Sequence, residues 1–238
     1  FSYEYANRGR LASMLFASVA EEFVEQEVFS CALSRYAHDE ETARSFVLNG
    51  FGIRCSDAVR EISSLAIPNS SDNIHFVELP SNEFERIRNL RNGLVKHLER
   101  APVFCPTDME RYEQWFQKDG MRVFVAESDG EIIGFISVED EAENFITEHE
   151  TMKNICGAYF DEAHRGRGIA QGLLRFVADR LKAEGVTHLG VDCETLNPTA
   201  LNFWSKYFAP YTYSFARRID ERIGVIQKGT ENAKHKEL

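Results

Sequence analysis

The sequence predicts a mixed α+β fold, in which helices pack on the faces of a β-sheet. After residue 73, runs with strand alternation and runs with helical spacing follow one another in the order β-α-α-β-β-β-α-β-α-β. Two turns support this order. An Asp-Gly turn separates two β-rich runs, and a glycine-rich turn stands directly before a long amphipathic helix.

The first half of the pattern predicts a strand, two helices and a hairpin. Residues 74–79 have the composition of a strand. Capping-box spacings at residues 82–85 and 107–110 each predict the start of a helix. The sequence Ser-Asp-Gly at residues 128–130 lies between two β-rich runs, which are therefore expected to pair as an antiparallel hairpin.

The second half predicts three strands that alternate with two helices. Residues 153–160 form a strand, and residues 168–184 form a long helix whose apolar residues recur at helical spacing. A strand at residues 186–192, a helix at 197–207 and a last strand at 211–217 complete the domain. This order places the glycine-rich turn between a strand and the N-terminus of a helix.

Charge, hydropathy and cysteine usage exclude several classes of protein. The chain of 238 residues carries 27 Lys and Arg against 38 Asp and Glu, a net charge of −11, so we expect no nucleic-acid partner. No run approaches the ~20 apolar residues of a membrane span, so we expect no membrane partner. Five widely spaced cysteines without a C-x-x-C pair indicate reduced thiols and a cytoplasmic protein.

The clearest chemical motif is the run Arg-Gly-Arg-Gly-Ile-Ala at residues 165–170, which follows a strand and opens a helix. Glycines let the backbone approach a ligand closely, and a helix N-terminus offers unpaired N–H groups to an anion. The motif therefore predicts a pyrophosphate site. It is not the dinucleotide fingerprint, because position 171 is Gln and the third glycine comes one residue late, at Gly172.

The spacing R-x-x-G-x-A at residues 165–170 resembles the acyl-CoA-binding loop of the GNAT acetyltransferase superfamily. Downstream, Asn197, Ala200 and Phe203 match the N-x-x-A-x-x-F/L helix of the same family. The resemblance covers about residues 73–220. It implies a GNAT-like acyl-CoA N-acyltransferase fold, whose mixed sheet is splayed so that the pantetheine arm of CoA lies between two strands.

The resemblance also implies acetyl-CoA as the cosubstrate, held by a strand, a loop and a helix. The strand contacts the pantetheine arm, the loop binds the pyrophosphate and the helix flanks the lower part of CoA. The implied cosubstrate-binding residues are Ala158, Tyr159, Phe160, Arg165, Gly166, Arg167, Gly168, Ile169, Ala170, Asn197, Ala200 and Phe203.

Acyl transfer to an amine requires a base. An alkyl amine has a pKa of about 10 and is protonated at neutral pH, so its proton must be removed before attack. Glu148 and Glu150 stand just before the strand that leads into the loop, where family members often carry the base; Glu139 is another candidate. Glu148-His149-Glu150 could also ligate a metal, but a solvated loop is the preferred interpretation, so no metal is expected.

The departing thiolate gains from an acid, which in this family is often a tyrosine directly after the last motif. Trp204 occupies that position, and an indole cannot serve as a proton acid. Tyr207, Tyr211 and Tyr213 are candidate replacements, with Tyr207 taken as the site residue. The alternatives are packing roles for these tyrosines and a thiolate that leaves directly into water.

Residues 1–67 resemble a truncated, eroded second copy of the latter half of the same unit. Residues 7–12 lie 158 positions before the glycine loop, and Ala43 and Phe46 lie 157 positions before residues of the motif helix. Arg10 replaces the key glycine, so this half-GNAT unit is expected to be structural. A half unit leaves an exposed sheet edge, which upstream residues, the second domain or a homodimer partner could cover.

The predicted organisation is a partial GNAT-like unit at residues 1–67, a linker at 68–73, an acetyltransferase domain at 74–226 and a polar tail at 227–238. The predicted function is transfer of an acetyl group from acetyl-CoA to a primary amine. Because the chain is acidic, a small cationic metabolite is the expected acceptor. A protein N-terminus or lysine is an alternative acceptor. Alternative functions are a catalytically inactive CoA-binding sensor or scaffold, indicated by Trp204, and a nucleotide-phosphate binder.

Overall fold

The computed structural model describes residues 5–67, 74–141 and 149–226. The strands are β1 (Ser30–Tyr36), β2 (Gly52–Glu61), β3 (His75–Leu79), β4 (Arg122–Ser128), β5 (Glu131–Glu139), β6 (Met152–Phe160), β7 (His188–Glu194) and β8 (Ala209–Arg218). The helices are α1 (Arg8–Glu25), α2 (Glu40–Leu48), α3 (Arg88–Leu98), α4 (Met109–Phe116), α5 (Ile169–Ala183) and α6 (Pro198–Trp204). Within the described ranges, no helix combines the length and the apolar character that crossing a membrane requires.

The chain forms two compact units, one of residues up to Cys55 together with those from Thr212 on, the other of Ser56–Tyr211. The boundaries of these compact units differ from those of the predicted domains. The reason is that β8 pairs antiparallel with β1, so the C-terminal strand belongs with the smaller unit. The predicted linker at 68–73 and tail at 227–238 lie outside the described residues.

The larger unit contains a mixed sheet in the order β2, β7, β6, β5, β4, β3. From β3 to β6 each strand is antiparallel to its neighbour, whereas β6 and β7 are parallel. In the β4–β5 hairpin, Asp129 and Gly130 have positive φ angles of 51° and 82°, which suit a tight turn between twisted strands. These features confirm the predicted α+β class and the predicted hairpin.

Two apolar cores lie on opposite faces of this sheet. Alternate residues of β4 divide between them, since Val123 and Val125 pack with α3 and α4 whereas Phe124 and Ala126 pack with α5. All four side chains are fully buried. The period of two along a strand therefore gives each helical layer its own core, and the two faces of β6 meet these layers.

Two predicted helix starts differ from the structure. The helix expected from residue 82 begins as a 3₁₀ turn, Ser81–Ile87, and becomes α-helical only at Arg88; Asn82 makes no cap among the described residues. The following helix is capped by Asp108, one residue after the predicted Thr107. The Asp108 carboxylate accepts hydrogen bonds from two backbone N–H groups at 3.1 and 3.2 Å.

The smaller unit packs α1 and α2 around its own aromatic core. Phe51 lies at the centre, with ring centroids 4.8 Å from Phe16 and 5.4 Å from Phe46, both edge-on. Phe215 of β8 completes the cluster and is fully buried. Edge-to-face pairs at these distances add to the free energy of apolar burial.

Candidate active site

The strands β6 and β7 separate halfway along their length. Their parallel pairing ends at Ile155 and Val191, although β6 continues to Phe160 and β7 to Glu194. On its other edge β6 stays paired with β5 as far as its last residue. The backbone groups on one edge of β6 therefore face a slot instead of a strand, and the predicted splay of the sheet is confirmed.

A β-bulge marks the position where the two strands separate. The register of β5 and β6 shifts between Ser137 and Val138, which leaves Cys156 as an extra residue on β6. The Cys156 thiol lies 3.4 Å from the Ser137 hydroxyl. Burial, with the charge of Glu139 as the next cause, raises the pKa of Cys156. This half-buried cysteine is therefore a protonated thiol at neutral pH and a poor nucleophile.

The glycine-rich loop after β6 is shaped by two glycines in the left-handed region. Gly166 has φ +77° and Gly168 has φ +81°, and apart from the glycine and its two chain neighbours no described heavy atom lies within 4 Å of where a Cβ would stand on either. Gly168 directly precedes α5, and among the described residues no side chain caps that helix. The loop thus presents open backbone at a helix N-terminus, as an anion site requires.

Arg165 fixes the start of this loop to the end of β6. Its Nε donates a hydrogen bond to the carbonyl oxygen of Phe160 at 2.9 Å, and its guanidinium stands 5.1 Å from the ring centroid of Tyr159. A guanidinium over an aromatic face is attracted by the ring electrons. Arg165 therefore positions the loop through two residues of the strand, whereas Arg167 is exposed.

A cavity of about 430 Å³ lies between β6, the glycine loop and α6. It collects eleven of the twelve residues that the sequence predicted to bind the cosubstrate, all except Arg167. These lining residues are Ala158, Tyr159, Phe160, Arg165, Gly166, Gly168, Ile169, Ala170, Asn197, Ala200 and Phe203.

Asn197 determines where α6 begins. Its Oδ1 accepts a hydrogen bond from the backbone N–H of Ala200 at 3.3 Å, and Pro198 takes the first helical position. The Asn-x-x-Ala spacing of the sequence motif is therefore the spacing of an N-cap. The same oxygen lies 3.4 Å from Nε2 of His97, on α3.

The predicted catalytic residues that the structure describes do not line the cavity. Glu150 is exposed in the turn before β6, and Glu148 lies outside the described residues. Tyr207 packs edge-on against Phe203, 5.4 Å between ring centroids, and is not among the lining residues that the structure describes. Glu139 is buried and forms an ion pair with Lys118.

Sequence reasoning missed three ionisable side chains in the cavity, one of which, His164, lies in the 3₁₀ turn before the glycine loop. His97 lies in the last turn of α3, and Lys206 follows α6. His97 and Asn197 are 100 positions apart, so no local motif links them. Only the packing of α3 beside β6 brings this histidine to the site, and a single sequence carries no signal of that contact.

Comparison with known proteins gives the family. The model of the Acetyltransferase (GNAT) family matches residues 88–209, which is just over half of the chain. A histidine N-acetyltransferase of Xenopus tropicalis is 29% identical over 107 residues, which are 45% of this chain and 29% of that protein. The match therefore spans less than a third of that relative's length.

Solved structures show the same fold over most of the chain. A protein of unknown function from Staphylococcus epidermidis has a TM-score of 0.57 at 12% identity, covering 92% of this chain and 84% of its own. A GCN5-related N-acetyltransferase from Sphaerobacter thermophilus has a TM-score of 0.57 at 16% identity, with 89% and 69% covered. The family match and the fold together place this chain in the GNAT acetyltransferase family.

Proposed function

We propose that the larger unit is an acetyl-CoA-dependent N-acetyltransferase that acetylates the primary amine of a small cationic metabolite. The observation that carries this proposal is the separation of β6 from β7 directly before a glycine loop whose helix N-terminus no described side chain caps. One cavity runs along all three features.

Each group of lining residues fits a different part of acetyl-CoA. The amides after Gly168 suit the pyrophosphate, since they are open and lie at the positive end of the α5 dipole. The free edge of β6 from Ala158 to Phe160 suits the amides of the pantetheine arm, which can pair with backbone groups as an added strand would. Ala200 and Phe203 supply an apolar wall.

The chain supplies two elements for the chemistry. A backbone N–H on the free edge of β6 can donate to the thioester oxygen, and such a donor is worth several kcal/mol when charge develops on that oxygen. A base must take the proton of the amine. Glu148 and Glu150 are the bases, and Tyr207, which is not among the described lining residues, is the acid that the sequence predicted.

The acceptor class is inferred from charge and from the relative's name. The chain has a net charge of −11, which attracts cations to its surface. A relative over 107 residues is named a histidine N-acetyltransferase, which supports a small acceptor with an amino group. The five cysteines are free thiols, and we place the protein in the reducing cytoplasm.

A CoA-binding module without catalysis is the second candidate. Trp204 lies on the cavity wall at the position where the family often carries a tyrosine acid. An indole donates a hydrogen bond but cannot protonate a thiolate. A chain that binds CoA tightly and releases no thiol would favour this candidate.

We propose that the first 67 residues are a degenerate, structural copy of the GNAT unit, joined by the linker 68–73 to a domain at 74–226. The N-terminus of α1 already holds an anion from its own unit, because the backbone N–H of Gly9 donates to Glu41 Oε1 at 2.9 Å. Arg8 lies 3.7 Å from the same carboxylate. This arrangement leaves no role for a CoA pyrophosphate there.

The test combines thermal stability with thiol release. Acetyl-CoA should raise the melting temperature, and a panel of polyamines, amino sugars and amino acids should reveal an acceptor that releases CoA thiol. Equal protection by ATP or NAD would indicate a nucleotide-phosphate binder. Protection by acetyl-CoA without thiol release from any amine would indicate the sensor or scaffold.

A further inference from the structure

The cavity holds a histidine that no sequence motif identifies. His97 is half-buried in the last turn of α3, where it lines the cavity beside the free edge of β6. Its Nε2 lies 3.4 Å from Oδ1 of Asn197, the N-cap of α6. The imidazole therefore stands where α3, β6 and α6 meet.

The environment of His97 determines which ring nitrogen carries the proton. Asn197 Oδ1 accepts the N–H of Ala200, which fixes this atom as the oxygen of the amide. An oxygen can only accept, so in neutral His97 the hydrogen stands on Nε2 and points to Asn197. Nδ1 is then the nitrogen with a free electron pair, and it is the atom that can take up a proton.

Three other residues that line the cavity, Trp204, Tyr159 and His164, are poorly suited to proton transfer. The Trp204 indole donates hydrogen bonds only. The Tyr159 ring is held between Arg165 and α3, with its hydroxyl 3.1 Å from where a Cβ on Gly93 would stand. His164 belongs to the 3₁₀ turn that leads into the glycine loop, at the pyrophosphate end. Imidazole both takes and gives protons near neutral pH.

We propose that His97, and not Tyr207, carries the proton of the attacking amine to the departing sulfur, once the base has left that amine neutral; this inference rests on the proposed acetyl transfer. When the neutral amine nitrogen bonds to the thioester carbon, Nδ1 of His97 takes one proton from that nitrogen. The imidazolium gives the proton to sulfur as the carbon–sulfur bond breaks and its electron pair stays on sulfur. The products are the amide and CoA thiol, and the imidazole is neutral again.

In this proposal Asn197 is a positioning residue. Its amide orients the ring and fixes the tautomer, while its backbone starts α6. A purely structural alternative gives His97 only the contact with Asn197, as a link between α3 and α6. The two alternatives make different predictions for a side chain at position 97 that has an N–H but no basic nitrogen. Such a side chain would preserve a structural contact with Asn197 but would abolish proton transfer.

The decisive variant is His97→Gln, because the glutamine amide can still donate to Asn197 but cannot carry a proton. We expect kcat to fall about 100-fold, within the range of general acid–base catalysis, while the Kd of acetyl-CoA measured by calorimetry is unchanged. The matched control is His188→Gln, on an exposed histidine at the start of β7, which should leave kcat unchanged.

A second variant tests proton transfer directly. His97→Ala leaves space in the cavity, and added imidazole should restore part of kcat, whereas no restoration is expected for His97→Gln. If His97→Gln retains wild-type kcat, or if imidazole restores nothing to His97→Ala, His97 does not transfer the proton. A wild-type chain that releases no thiol with any amine overturns the acetyltransferase proposal, and His97 with it.

Discussion

The helices α1 and α5 lie in similar stretches of sequence but begin at different positions within them. Three landmarks align at an offset of 158 positions: the last residues of the two helices, Glu25 and Ala183; the strands that follow, from Ser30 and His188; and the caps Asp39 and Asn197. The starts of the two helices do not align at this offset. Helix α5 begins at Ile169, whereas α1 begins at Arg8, three residues earlier than the offset predicts.

The extra turn of α1 replaces the glycine loop. Gly168, with φ +81°, stops the α-helix of α5 from extending backwards, and Arg10 is its counterpart at the same offset. An L-residue prefers the right-handed region by about 1–2 kcal/mol, so the chain at Arg10 stays helical. One glycine thus decides whether the same position becomes an anion-binding loop or a turn of helix.

The two helices also differ in what their apolar faces cover. Leu173 and Val177 of α5 are fully buried against the sheet of the larger unit. The residues at the same offset in α1, Leu15 and Val19, are 49% and 41% exposed. The smaller unit has β1 and β8 but no counterpart of the strands on which α5 packs, among the residues that the structure describes.

The largest expected effect concerns these faces. Leu173→Ala should lower the free energy of unfolding by about 3 kcal/mol, because it removes a buried side chain and leaves a cavity. Leu15→Ala, at the same offset in α1, should change it by less than about 0.5 kcal/mol. Urea denaturation measures both, and similar losses for the two variants would contradict the comparison.

The next effect tests the glycine itself. Gly168→Arg copies Arg10 into the loop of α5 and should weaken acetyl-CoA binding at least about 100-fold, or 2.7 kcal/mol, because the new side chain favours a helical turn over the open loop. Calorimetric titration measures the Kd.

The control for this variant lies at the other end of the same helix. Gly185 also has a positive φ, +89°, and open space around its Cβ position. Gly185→Arg should therefore cause similar backbone strain while leaving the Kd of acetyl-CoA unchanged. An equal loss of affinity in both variants would mean that strain, and not the loop, weakens binding.

Local patterns predicted much of this site. The strand–glycine turn–helix order and the Asn-x-x-Ala cap depend on neighbouring residues, and both are present in the structure at Gly168 and Asn197. Long-range packing could not be predicted in the same way. The pairing of β8 with β1 and the approach of His97 to Asn197 join residues more than 90 positions apart, and no local propensity encodes them.

The caps of α2 and α6 provide a third contrast. Asp39 is a buried carboxylate that pairs with Arg35, whereas its counterpart Asn197 is neutral. Burial works to raise the pKa of Asp39, but the hydrogen bonds from Arg35 and Thr42 outweigh it, and the net shift is downward. The stabilisation by this charge is therefore present above the unfolded pKa of about 3.9 and is lost as the pH falls through the folded value.

Asp39→Asn keeps the cap and removes the charge. The free energy of unfolding should fall by about 1.5 kcal/mol at pH 7, the value typical of a hydrogen bond to a charged group. The difference from wild type should shrink as the pH is lowered below the unfolded pKa. Urea denaturation at a series of pH values measures it, and equal stability of Asp39→Asn and wild type at pH 7 would show that the carboxylate contributes only as a cap.

The smallest expected effect concerns the Glu41 carboxylate, which binds at the N-terminus of α1. Glu41→Gln keeps an oxygen for the Gly9 N–H and removes the charge at the helix N-terminus, so we expect a loss of about 0.5 kcal/mol in urea denaturation. Glu40→Gln, on the exposed neighbour, is the matched control. Acetyl-CoA should bind both variants with a stoichiometry of one. A second binding site in Glu41→Gln would show that Glu41, and not the extra turn of helix, keeps the ligand from the smaller unit.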